Sequence, residues 1–195
     1  MLYMSYKVIA ITREFGSGGR TIGKMLAQQL GYDFYDYELV QKIAQESGFA
    51  ESFIEEYGED AASGGIFSFM ANSWGTNVAD QLYLAQRKVI LELAEKGNCV
   101  IVGRCADYIL RHRDDVLNVF VHANMEYKKK RIVELYGDRS DSPEKRILDK
   151  DKRRKAYYRY YTDRSWGQAT YYHICLDTSL LGIETSTEII KNLVK

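Results

Sequence analysis

The stretch Val8-Ile9-Ala10-Ile11-Thr12-Arg13-Glu14-Phe15-Gly16-Ser17-Gly18-Gly19-Arg20-Thr21 decides how this chain folds. It begins as a short apolar run and turns on three glycines within four positions. It then opens into residues 21–30, where Ile22, Met25, Leu26 and Leu30 recur at helical spacing. Strand, tight turn and helix in that order shape a backbone that holds phosphate. Glycine lets the chain fold back with its N–H groups pointing inward, and the helix start adds a partial positive charge.

Working outward, Gly31 sits where a helix C-cap belongs, and residues 32–35 read as a short strand. Asp36 can cap a helix running to about residue 46, with Leu39, Val40, Ile43 and Ala44 inward. Residues 61–76 are rich in Gly, Ser and Asn and read as a loop, although Phe67, Phe69, Met70 and Trp74 need burial. Residues 77–96 form a long amphipathic helix. Strands follow at 99–102, 116–121 and 172–176, with a helix at 125–136 and a helix start at Ser142-Pro143-Glu144. Thr185-Ser186-Thr187-Glu188 reads as a capping box opening the last helix.

Apolar strands alternating with helices predict an α/β fold: three α/β/α layers around a five-stranded parallel sheet. Ligands of such sheets bind at the carboxyl ends of the strands. The glycine loop, Asp36 and Gly103-Arg104 each follow a strand, so they converge on one crevice.

With 195 residues, 46% of them hydrophobic and 28% charged, the chain reads as one domain, 1–195, with a full core. A formal net charge of zero argues against general affinity for nucleic acid or membrane. The charge is unevenly placed. Residues 46–60 hold six acids and no Lys or Arg, whereas residues 146–164 hold eight Lys/Arg against three Asp. Tyr157, Tyr158, Tyr160, Tyr161 and Trp166 interleave with the basic run, a pattern that can also stack on bases. Cys99, Cys105 and Cys175 lack metal or redox spacing and read as small buried hydrophobes, which suits a reducing cytoplasm. His112, His122 and His173 have no metal-ligand spacing and read as structural. No run reads as a signal peptide or membrane span.

A Walker A loop reads G-x-x-x-x-G-K-[ST]. In that register Arg13 stands at the first Gly, Gly18 at the second, Gly19 at the Lys and Arg20 at the Ser/Thr. The cradle is present and its lysine is not. Arg20, one residue later, is the first stand-in, and Arg13 flanks the loop as the second. A guanidinium is a wide planar fork and does not simply replace a point charge.

Gly16-Ser17-Gly18-Gly19-Arg20-Thr21, Gly103-Arg104 and residues 176–184 together resemble the cytidylate-kinase-like branch of the P-loop nucleoside-monophosphate kinases. The resemblance spans nearly the whole chain, with residues 37–76, where the acceptor-side insert would lie, matching loosely. It implies ATP and Mg²⁺, a nucleoside monophosphate such as CMP as acceptor, and a mobile basic lid at about 142–167. By that resemblance Gly16, Ser17, Gly18, Gly19, Arg20 and Thr21 hold the ATP phosphates, and Thr21 sits where magnesium is bound. Arg104 grips the acceptor phosphate. Lys150-Asp151 and Arg153 resemble the lid pattern R-D-x-x-R, and Arg154 and Arg159 add lid cations. Asp36 either orders an acceptor hydroxyl or a magnesium-bound water, or simply caps a helix. Asp107 either contacts the acceptor base or orients Arg104. The expected activity is ATP-dependent phosphoryl transfer to a small phosphate-bearing acceptor, with Arg20, Arg153 and Asp36 as catalytic groups. Gly19 keeps a nucleotide-binding sensor or partner module as the alternative. A homodimer is left open.

Overall fold

The computed structural model describes residues 6–36, Leu39, Lys42 and 78–194. The acceptor-side insert expected at 37–76, the helix to residue 46 and the aromatic loop around Trp74 fall outside these, Leu39 and Lys42 excepted.

Five strands form one parallel sheet in the order β2-β3-β1-β4-β5. They are β1 (Val8–Arg13), β2 (Asp33–Tyr35), β3 (Cys99–Val102), β4 (Val116–His122) and β5 (Ile174–Asp177). In the centre β1 pairs with both neighbours, Val8 opposite Cys99 on one side and Val116 on the other. Alternation along each strand divides the core in two. Val8, Ala10, Cys99 and Ile101 face one cluster; Ile9, Ile11, Val100 and Val102 face the other. The expected α/β/α sandwich with five parallel strands is therefore what forms.

Six helices lie among the described residues: α1 (Gly19–Leu30), α2 (Val78–Lys96), α3 (Ala106–Ile109), α4 (Met125–Tyr136), α5 (Pro143–Thr162) and α6 (Thr178–Val194). α1 and α6 cover one face, contributing Ile22, Leu26, Ile190 and Val194. α2 and α3 cover the other with Val89, Ile90, Leu93 and Ile109. Ile9, Ile11, Ile22 and Leu26 are fully enclosed, and burying each contributes roughly 1.5–3 kcal/mol. No helix among the described residues is long and apolar enough to cross a membrane.

Three local expectations are corrected. The short helix α3 after Gly103-Arg104 was not predicted; it starts from Cys105, itself in the left-handed region at φ 55°. β5 begins at Ile174, two residues later than the apolar run suggested, because Ala169–Tyr171 form a 3₁₀ turn. The capping box does not form. α6 starts directly after β5 and kinks at Gly182, and Ser186 and Thr187 donate back to the carbonyls of Gly182 and Ile183 at 2.6 and 2.8 Å. Their hydroxyls bond inside the helix instead of capping it.

The basic segment is a single helix, α5. Ser142 caps it, accepting from the Lys145 amide at 3.3 Å, with Pro143 in the first turn. Ile147, Asp151, Tyr158 and Thr162 are buried along one stripe, and Tyr157 and Tyr158 belong to the core. Two tyrosines thus tie the second half of the segment expected as a lid to the core.

Candidate phosphate site

The loop after β1 is fixed by buried polar contacts. Ser17 Oγ donates to the carbonyls of Glu14 and Val121 at 2.8 and 3.1 Å. Thr178 Oγ1 donates to the Ser17 carbonyl at 2.6 Å. Glu14 accepts from Lys128 Nζ at 2.8 Å, and Asp151 Oδ1 accepts the Phe15 amide at 2.7 Å. Arg154 Nη1 donates to the Arg13 carbonyl at 3.1 Å. Helices α4 and α5 therefore clamp the outside of the loop. On its inside, the amide groups of Gly16, Gly18, Gly19, Arg20 and Thr21 have no hydrogen-bond partner among the described residues. Unpaired N–H groups at the start of a helix form an anion-binding site.

A cleft of about 260 Å³ opens over these amides. Arg13, Arg20, Arg104, Arg131 and Arg154 line it, five cations against Glu14 and Asp36. Each comes from a different element: the end of β1, α1, the turn after β3, α4 and α5. Converging guanidinium forks suit a ligand carrying several phosphate or carboxylate groups. Glycine at 18 is required twice over. Its φ is +92°, and a Cβ there would overlap Ile183 Cδ1.

Arg104 sits in a run of three left-handed residues, Gly103, Arg104 and Cys105, at φ 79°, 58° and 55°. Two of them carry side chains, which costs on the order of 1–2 kcal/mol each. Buried Gln86 holds the run, donating to the Arg104 carbonyl at 2.8 Å and accepting from the Tyr157 hydroxyl at 3.0 Å. Among the described residues the Arg104 guanidinium forms no ion pair.

The structure sorts the predicted residues. Gly16, Gly18, Gly19, Arg20, Thr21, Asp36, Arg104 and Arg154 line the cleft. Ser17 does not, since it is fully buried and braces the loop from behind. Asp107 lies behind the cleft and does not line it. It is 3% exposed and accepts from Tyr158 (2.7 Å) and Thr12 (3.3 Å), with no contact to Arg104. Burial pushes its carboxyl above the usual range against those hydrogen bonds, and pushes the Tyr158 hydroxyl far up. Arg153 and Arg159 do not line the cleft. Arg159 is exposed and pairs with Asp163 at 3.5 Å. At about 100° per residue the helix points these three cations in different directions, and only Arg154 falls on the side of the loop.

Sequence reading missed Arg131, whose Nη2 donates to Thr21 Oγ1 at 2.7 Å. It also missed the pair that buried Lys128 makes with half-buried Glu14. Glu14 stands beside the loop, but nothing local in the sequence marks its partner 114 positions away. The stripe Ile147, Asp151, Tyr158, Thr162 was available as a signal that Asp151 turns inward. Around Thr21 the donor set suits an anion better than a cation. Its hydroxyl is engaged by a guanidinium, and no cluster of metal-ligating side chains exists among the described residues. No step is therefore assigned to magnesium.

A family model described as the cytidylate kinase-like family matches residues 8–180. Among solved structures, the chain is 27% identical to an uncharacterized protein from Eubacterium ventriosum, covering 96% of this chain and 97% of that one at a TM-score of 0.74. Shikimate kinase from Bacteroides thetaiotaomicron is 18% identical, with 96% and 97% covered and a TM-score of 0.58. Shikimate kinase from Acinetobacter baumannii, in complex with shikimate, is 17% identical, with 98% and 94% covered and a TM-score of 0.55. No curated protein matches. The shikimate kinases share the fold of this chain.

Proposed function

Because this chain belongs to the cytidylate kinase-like family, we propose that it transfers a phosphoryl group from ATP to a small phosphate-bearing acceptor, a nucleoside monophosphate such as CMP. The observation that carries this reading is the five-arginine cleft over the unpaired loop amides. Phosphoryl transfer asks a protein for positioning and for neutralisation of charge spread over phosphate oxygens, and little covalent chemistry.

Bound ATP supplies the transferable phosphoryl group, and the residues of this chain supply the rest. The loop amides and Arg131 hold the donor phosphates from the α1 and α4 side. Arg104 takes the acceptor phosphate through its two parallel N–H donors, preorganised by Gln86. Arg20 and Asp36, joined at 2.6 Å, border the acceptor side of the cleft, where the carboxylate can accept a hydroxyl. Phe15, stacked on Tyr136 at 5.8 Å, and Leu135 bring apolar surface to a charged site and help exclude water.

The missing lysine at Gly19 supports a second reading, a nucleotide-binding module without turnover. One experiment separates the two: phosphorus NMR of the purified protein with ATP, Mg²⁺ and, in turn, CMP, other monophosphates, cytidine and shikimate. The kinase reading expects new diphosphate from CMP and none from cytidine. ATP binding with no transfer to any acceptor sinks that reading and leaves the module.

A further inference from the structure

The side chain of Arg13 runs through space that two glycines leave open. A Cβ on Gly19 would lie 2.6 Å from Arg13 Cβ and 3.0 Å from Arg13 Cγ. A Cβ on Gly103 would overlap Arg13 Nη1 and lie 2.8 Å from its Cζ. The stem of the arginine thus packs on the first residue of α1, and its head lies over the turn after β3. The main chain of Arg13 is fixed as well. It pairs with Val121 across the sheet, and its carbonyl accepts from Arg154 at 3.1 Å.

These are the positions at which the loop departs from the Walker pattern. Arg13 stands where the pattern has its first glycine, and Gly19 where it has its lysine. At 2.6 Å the two Cβ positions compete for one volume, so side chains at both cannot be held without the backbone shifting. We propose that Arg13 and Gly19 are a reciprocal exchange: Arg13 delivers from the end of β1 the phosphate-binding cation that position 19 would otherwise deliver from α1. The wider guanidinium head explains why Gly103 must be small too. The other four arginines of the cleft have different engagements. Arg20 is paired with Asp36 and half exposed; Arg131 holds Thr21; Arg154 holds the Arg13 carbonyl; Arg104 has its carbonyl held by Gln86. None of them depends on residue 19 being glycine.

The inference rests on the proposed phosphate-binding reading, and calorimetry with ATP and AMP as probes separates the two. The variants are Arg13→Ala, Arg13→Lys, Gly19→Lys and the exchange Arg13→Gly/Gly19→Lys. Arg13→Ala should lose at least about tenfold in ATP affinity, the scale of one charged hydrogen bond, with a much smaller change for AMP. Arg13→Lys should keep most of it. Gly19→Lys should lower both Tm and ATP affinity, because its Cβ meets Arg13. The exchange variant should regain at least about tenfold over Gly19→Lys. Unchanged ATP affinity in Arg13→Ala overturns the inference, as does an exchange variant that is unfolded or no better than Gly19→Lys. Arg13-dependent ATP binding without phosphoryl transfer supports the inference and removes the kinase reading. A wild-type chain that binds neither probe overturns both.

Discussion

Arg20 Nε lies 2.6 Å from Asp36 Oδ2, so the two groups singled out as separate catalytic candidates, one on the first turn of α1 and one after β2, form one ion pair at the cleft. The arginine that follows the glycine loop is thereby drawn toward the end of β2. Its side chain is 51% exposed, and so open a pair contributes less than about 1 kcal/mol to folding. Its value is in orientation: each group fixes the other at the edge where an acceptor would enter.

That pairing makes a kinetic prediction. Arg20→Ala and Asp36→Asn should each raise the acceptor KM with little change in ATP affinity, and the double variant should be no worse than the poorer single. Steady-state kinetics for the three variants test this. An ATP affinity loss in Arg20→Ala as large as in Arg13→Ala would put Arg20 over the triphosphate.

Gly18→Val should damage folding as well as binding. The positive φ and the overlap with Ile183 together cost roughly 2–4 kcal/mol. Urea denaturation should show a lower midpoint with an unchanged slope. A variant as stable as wild type would mean that the loop can shift away from Ile183.

Gln86→Ala should act as a weaker copy of Arg104→Ala. It releases the Arg104 carbonyl and leaves the buried Tyr157 hydroxyl without its acceptor, costing about 1–3 kcal/mol of stability. Acceptor KM should rise while kcat falls less, because Arg104 stays present but is poorly aimed. Equal kinetics in Gln86→Ala and wild type would show that the left-handed run holds itself.

Buried Asp107 sets a pH dependence. Its folded pKa is raised by burial, so the native chain binds its proton more tightly than the unfolded chain does. The stability this gives is full below the usual carboxylate range and is lost as pH rises through the raised value. Asp151 is shifted the same way by burial, so Asp107→Asn should flatten the decline without abolishing it. Denaturation at a series of pH values reads both slopes. Identical slopes in the variant and wild type would show Asp107 ionised like an exposed carboxylate.

Helix α5 should exchange its amides unevenly. Residues 157–162 are tied to the core through Tyr157, Tyr158 and Thr162 and should be protected with or without ligand. Slowing on addition of ATP should concentrate in the first turns, before Asp151. Ligand-dependent protection spread evenly to residue 162 would restore a lid that moves as a whole.

The local chemistry of the sequence determined the order of the elements, the parallel sheet and the identity of the loop. Apolar strands, glycine at turns and helical periodicity are properties of neighbouring residues, and the chain carries them wherever it folds. It also put Arg104 at the crevice, whose lining it joins, since a residue that follows an inner strand has little choice of where to go. Tertiary structure alone decided which of the many cations reach the cleft. Arg154 meets the loop carbonyl 141 positions away, and Arg131 meets Thr21 across 110, while Arg153 and Arg159 on the same helix as Arg154 do not line it. It also buried Asp107 under Tyr158 and set the side chain of Arg13 against Gly19. These outcomes depend on how far one helix is rotated against another. That rotation is fixed by packing the whole core at once, and no local pattern encodes it.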